Sequence, residues 1–150
     1  AQVLGRRKLG AENSLERALE AVDEEGKRLE AGPEVQVWEL IVKARLALAD
    51  EKRGLAVRYA KQAAAIRPDD ADVHILQADI EEDRERSPEQ ALRQAIAAKE
   101  PMPVALGRLG LLLGPTEEGC ELASRYLRAN RSGRQARKAR SLRDQCSSAQ

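Results

Sequence analysis

Few residues in this chain belong to types that carry out catalysis or bind metals. There is one histidine, His74, and there are two cysteines, Cys120 and Cys146. A catalytic or metal-binding histidine needs companions, such as a second histidine, a Cys-x-x-Cys pair or a carboxylate at helical spacing. His74 has no such companion, and nothing in the pattern organises a Cys–His nucleophile pair. We therefore predict no catalytic residue and no metal ligand, and we interpret His74 as a packing or surface residue.

The glycines and the acidic runs do not match ligand-binding loops. Gly107 and Gly110 fall inside a helical pattern and not after a strand, which argues against a phosphate-binding or dinucleotide-binding loop. We expect these glycines to permit close approach of two helices. The acidic run from Asp79 to Glu85 lacks the glycine and the terminal glutamate of a calcium loop. We therefore expect no cofactor and no enzymatic activity.

The two cysteines are placed symmetrically about a turn. Gly133 lies 13 residues after Cys120 and 13 residues before Cys146. In an antiparallel hairpin that turns at Ser132-Gly133, both thiols lie roughly 20 Å from the turn, at the same end, because each residue adds about 1.5 Å. Both also fall on apolar stripes. This placement predicts a Cys120–Cys146 disulfide, typical of an oxidising compartment such as the periplasm, with two unrelated buried thiols as the alternative.

The composition indicates how the chain builds its core. Of the 150 residues, 42% are hydrophobic, yet there is no Phe, one Trp and two Tyr. A core of Ala, Leu, Val and Ile suits helices that approach closely, and no alternating strand pattern is present. We therefore predict an all-α fold of one domain without a membrane-spanning segment, which needs roughly 18 apolar residues. Because the sequence begins Ala1-Gln2, we expect a processed protein or an excised fragment.

Sequence markers recur at a period of 35 residues. Pro33, Pro68 and Pro103 are 35 residues apart, and Ala21, Ala56 and Ala91 keep the same interval. Between these markers the apolar pattern predicts pairs of helices, with Asp70 capping one helix and Ser87-Pro88 starting another. The predicted helices cover residues 14–29, 34–49, 55–66, 71–83, 88–99, 103–113, 116–129 and 134–146.

This pattern resembles tetratricopeptide repeats (TPR), which are helix pairs of about 34 residues with small residues at fixed positions. The matching residues are Ala44, Ala56, Ala60, Ala63 and Pro68, then Ala78, Ala91, Ala95, Ala98 and Pro103. The resemblance implies a right-handed α–α superhelix (solenoid) of antiparallel helix pairs, forming a single domain over residues 1–150. The clearest repeats are 34–68 and 69–103, followed by a degenerate pair at 103–130 and a capping helix at 134–146.

The resemblance also implies a function, because the first helix of each pair lines a concave groove in this family. We expect a non-catalytic scaffold that binds a segment of another protein in the groove, as part of a bacterial-type cell-envelope or secretion assembly. The location is then periplasmic or otherwise extracytoplasmic, with the cytoplasm as the alternative. The corresponding groove residues are Trp38, Ile41, Arg45 and Leu48, then Asp72, Ile75, Asp79 and Glu82. Trp38 could equally fill the core.

Charge is distributed unevenly, although the net charge is only +1. The segment from Arg125 to Arg143 contains 8 basic residues and no acidic residue, whereas the segment from Asp69 to Gln90 contains 9 acidic residues and 2 basic ones. The basic collar could neutralise phosphates, but only Tyr126 accompanies it as an aromatic platform. A cap that keeps a solenoid soluble explains the same charges. Nucleic-acid binding by the basic C-terminal helices is therefore the less favoured alternative.

Overall fold

A computed structural model describes residues 16–18, 20 and 32–148, and every regular element in these ranges is a helix. This confirms the predicted all-α class. Residues 16–18 and 20 are helical, and the rest of the predicted helix 14–29 lies outside the described residues. No described helix combines the length and apolar character needed to cross a membrane. The seven helices that follow are α1 (Pro33–Ala49), α2 (Arg53–Ile66), α3 (Ala71–Asp83), α4 (Glu89–Ala97), α5 (Pro103–Leu113), α6 (Glu117–Ala129) and α7 (Arg134–Ser148).

The starts of α3 and α6 follow from side-chain capping. The Asp70 carboxylate accepts hydrogen bonds from the backbone N–H groups of Asp72 and Val73, at 2.9 and 3.3 Å. The Thr116 hydroxyl accepts one from the Gly119 N–H at 3.0 Å. These oxygens satisfy donors that the first turn of a helix leaves without intrahelical partners. The predicted Asp70 cap is thereby confirmed.

The helix α4 is shorter than the sequence pattern predicts. It begins at Glu89 and not at Pro88, and it ends at Ala97 and not at Lys99. The Ser87 hydroxyl still accepts a hydrogen bond from the Glu89 N–H at 3.3 Å, so the predicted start signal acts one residue upstream of the first helical residue. At the other end the backbone becomes extended, which suits a segment that leads into two prolines.

The core passes from one helix pair to the next in three clusters. The first cluster joins α1, α2 and α3, the second joins α3, α4, α5 and α6, and the third joins α6 and α7. Alanine at these contacts lets neighbouring helices approach closely without loss of side-chain entropy. The alanines with 0% exposure include five that mark the repeat, Ala44, Ala56, Ala63, Ala78 and Ala95.

Two glycines allow α5 to pack closely against α6. A Cβ atom at Gly110 would lie 3.1 Å from the Ala123 backbone nitrogen and 3.2 Å from the Gly119 carbonyl oxygen. A Cβ atom at Gly107 would lie 3.0 Å from a ring carbon of Tyr126. Backbone and ring atoms leave no room for a side chain at these positions. The predicted role of these glycines in close helix approach is confirmed.

The helices α6 and α7 form the predicted C-terminal hairpin. Cys120 near the start of α6 and Cys146 near the end of α7 are at disulfide-bonding distance, with their Cα atoms 6.1 Å apart. Gly133 in the turn has a φ of 101°, a conformation that favours glycine because it has no Cβ. The equal arms on either side of this turn bring the sulfur atoms together, so the predicted pairing is confirmed and the alternative of two unrelated thiols is wrong.

Candidate interaction surface

Ion pairs connect the first helices of three consecutive pairs, α1, α3 and α5. Arg45 Nη1 donates to Asp79 Oδ2 at 2.6 Å, and Arg108 Nη1 lies 2.8 Å from Asp79 Oδ1. Arg108 Nη2 also donates to Glu82 Oε1 at 2.9 Å. We refer to these four residues as the ion-pair chain. Because Asp79 is bound from both sides, α1, α3 and α5 present these side chains on one shared face.

The helices α1 and α3 run parallel to each other. Arg53 at the start of α2 pairs with Asp83 at the end of α3 at 2.7 Å. Arg67, directly after the end of α2, pairs with Glu34 at the start of α1 at 2.9 Å. Both first helices are therefore antiparallel to α2. This relation lets the register of the Arg45–Asp79 contact be extended along the two helices.

Arg108 is the cation at the centre of the ion-pair chain. Its side chain is only 19% exposed. Burial lowers the pKa of Arg108, but hydrogen bonds and attraction from Glu82 and Asp79 outweigh this and raise the pKa above its ordinary value. The guanidinium group therefore stays charged. It compensates the carboxylates that the sequence alone presented as an acidic end of the groove, and sequence reasoning did not place Arg108 there.

Trp38 is exposed on the same side of α1 as Arg45. It lies seven residues before Arg45, which places the two side chains about 20° apart around the helix. Its exposed fraction is 44%, so the alternative that Trp38 fills the core is wrong. On α5, Leu112 follows Arg108 by four residues and is 45% exposed. Both outer helices of the face therefore carry a large exposed apolar side chain.

Three of the predicted groove residues lie beneath this face. Ile41 and Ile75 are 8% and 6% exposed and belong to the core clusters, while Leu48 is half-buried against the first cluster. Three residues turn a helix by about 300°, so Ile41 points about 60° away from Trp38 and toward the interior. These three residues support the surface, and they leave little area for contact with a partner.

Asp72 carries a charge that the protein does not pair. Partial burial of its carboxyl group and repulsion from Asp70 raise the pKa of Asp72, and the charge of Arg45 opposes this rise. Among the described residues the Asp72 side chain has no hydrogen bond or ion pair of its own. Asp72 follows Trp38 by 34 residues, the same separation as between Arg45 and Asp79. In parallel helices this register places Asp72 beside Trp38, two turns from the bonded pair.

His74 lies in the interior of the same helix. It is 8% exposed, and its Nδ1 atom lies 3.2 Å from Gln77 Oε1. This confirms its interpretation as a packing residue. Across residues 16–18, 20 and 32–148, no three His, Cys, Asp or Glu side chains are grouped so as to hold a metal ion.

Comparison with known proteins adds no family to this picture. No protein-family model matches the chain, and no curated protein or solved structure matches it either. The tetratricopeptide resemblance stays a prediction from the spacing of the residues. The contacts, exposure and charge of the face on α1, α3 and α5 are therefore the basis for a functional proposal.

Proposed function

We propose that the chain is a non-catalytic protein-interaction module, built as a right-handed α–α superhelix of tetratricopeptide-like helix pairs. The ion-pair chain carries the proposal, because it joins side chains of α1, α3 and α5 on one face. These are the helices expected to line the concave groove. A segment of another protein binds along this face, and no cofactor takes part.

The chemistry of Trp38 and Asp72 favours a partner segment with a basic side chain. A lysine or arginine placed over the indole face gains a cation–π interaction of about 0.5–1 kcal/mol at an exposed site. Its aliphatic stem packs on the ring while its charge meets the unpaired Asp72 carboxylate. The ion-pair chain, in which two arginines face two carboxylates, is already neutral. The pair formed by Trp38 and Asp72 is therefore the part of the face with charge and apolar area left to offer.

The Cys120–Cys146 pair supports an extracytoplasmic location for this module. Structural disulfides form and persist in oxidising compartments, which include the bacterial periplasm and the secreted space. A scaffold within a cell-envelope or secretion assembly would combine such a compartment with a protein-binding face. A partner that resides in the same compartment is part of this proposal.

Affinity capture from the native source tests the proposal, with the oxidised chain as bait. We compare the wild type with Trp38→Ala and Asp72→Asn, which remove the ring and the unpaired charge. Ile66→Ala and Glu121→Gln are matched controls, because Ile66 is an exposed apolar residue on α2 and Glu121 an exposed acid on α6.

We expect the two controls to recover the same partner as the wild type. Loss of an aromatic anchor of about 2 kcal/mol or more should reduce recovery with Trp38→Ala by at least about tenfold. Asp72→Asn should weaken recovery and reduce its dependence on salt. If all four variants recover the partner equally, the assignment of this face is wrong.

A further inference from the structure

The C-terminal hairpin contains a second surface feature, a depression between the end of α6 and the helix α7. Its volume is about 440 Å³. We refer to it as the arginine depression, because four of its lining residues are arginines and none is acidic. The lining residues are Ser124, Leu127, Arg128, Arg131, Arg140 and Arg143.

The guanidinium groups of the arginine depression have no carboxylate partner among the described residues. Arg140 Nη1 donates to the backbone carbonyl oxygen of Arg131 at 2.6 Å, and this contact occupies one side of one guanidinium group. The side chains of Arg128, Arg131 and Arg143 make no hydrogen bond within the part of the chain that the structure describes. By contrast, every arginine of the ion-pair chain is bound to a carboxylate.

Four like charges around one concave surface repel one another, and this repulsion is relieved when an anion binds between them. The nearby sequence supplies no such anion, because the segment from Arg125 to Arg143 contains no acidic residue. A guanidinium group presents paired N–H donors that match two oxygens of one phosphate group. Ser124 adds a hydroxyl group that has no hydrogen-bond partner within the described chain.

We propose that the arginine depression binds a small anion that carries two or more phosphate groups, such as an inorganic oligophosphate. Its volume is in the range of small-molecule sites, which is roughly 300–1,000 Å³. Tyr126, the aromatic residue of the hairpin, is 7% exposed and packs in the third core cluster. It therefore offers no face on which nucleobases could stack. A compact phosphate ligand fits these features better than a nucleic acid does.

The test is titration calorimetry of the full oxidised chain with inorganic tripolyphosphate at low salt. The variant Arg128→Gln/Arg143→Gln removes two guanidinium groups from the depression. The matched control Arg125→Gln/Arg137→Gln removes one arginine from each of the same two helices outside the depression, so the net charge falls equally. We expect the first variant to weaken binding by about a hundredfold, from about tenfold per lost charged contact, and the control by about twofold.

Equal weakening by the two double variants, or no binding of tripolyphosphate by the wild type, overturns the proposal. A short oligothymidylate serves as the second ligand. If it binds while tripolyphosphate does not, and both double variants weaken it equally, the basic collar is a nucleic-acid surface instead. Far-UV circular dichroism checks the fold of each variant. The single variant Arg131→Gln replaces Arg128→Gln/Arg143→Gln if that protein does not fold.

Discussion

Replacement of both cysteines, in the variant Cys120→Ser/Cys146→Ser, should lower the free energy of unfolding by about 3.5 kcal/mol at 25 °C. This value follows from the loop that the bond closes, since a sequence separation of 26 corresponds to about 12 cal/mol/K of chain entropy. Serine has nearly the shape of cysteine, and both positions are half-buried. The loss of the covalent link therefore dominates the effect.

The predicted loss is large beside the other contacts that hold α7. The buried residues of α7 are Ala136, Ala139 and Leu142. Only Leu142 has a large side chain, and its full burial contributes about 1.5–3 kcal/mol. Without the disulfide, α7 is expected to separate from α6 before the remaining helices unfold, as a locally cooperative unit.

Urea unfolding followed by circular dichroism measures this effect in the oxidised wild type, the reduced wild type and the double serine variant. The reduced protein and the variant should agree, and reductant should not change the variant. In thermal unfolding the same loss corresponds to roughly 7–14 °C for a chain of this size. A variant within about 0.5 kcal/mol of the oxidised wild type, the usual range of neutral surface changes, would refute the reasoning.

Three further substitutions test the packing, the ion-pair chain and the capping of the fold. Gly119→Ala should destabilise the chain by about 1–3 kcal/mol in urea unfolding, because its Cβ would collide with the Gly114 carbonyl oxygen. Gly54→Ala has open space and should stabilise it by about 0.5 kcal/mol, and equal effects of the two would contradict the packing. Asp79→Asn should cost about 1 kcal/mol at low salt and less at high salt, and a loss that does not depend on salt would speak against ion pairing. Asp70→Ala should cost about 1 kcal/mol and speed amide exchange in the first turn of α3, whereas unchanged exchange there would show that the cap contributes little.

Much of the fold could be predicted because its signals are local. The helix bounds agree with the sequence pattern to within two residues, since apolar periodicity, prolines and capping residues act on neighbouring positions. The disulfide was also predictable, because equal arms around Gly133 are a property of the sequence. The exposure of Trp38 was not, since an apolar side chain on a helix gives no sign of whether a neighbouring helix covers it.

The position of Arg108 shows where the repeat period fails. Arg45 and Asp79 are 34 residues apart, in line with the repeat, but Asp79 and Arg108 are only 29 apart. Continuing the repeat period from Asp79 leads to Leu113, the last residue of α5. The shortened third pair therefore shifts α5 along α3, and this brings Arg108 to the two carboxylates. Such a shift depends on the connection and on packing between the helices, which the period does not encode.

The disulfide and the turn between α6 and α7 together form a covalently closed ring of polypeptide. Arg131 lies in this turn and is exposed, and exposed turns are where proteases cut most readily. A trypsin-like cut after Arg131 opens the ring without releasing either part, because Cys146 still tethers α7 to α6. The cleaved protein should therefore migrate as one species on a gel without reductant and as two with it. A protease that reaches the turn thus converts one chain into two linked chains, and α7 stays attached beside its partner helix.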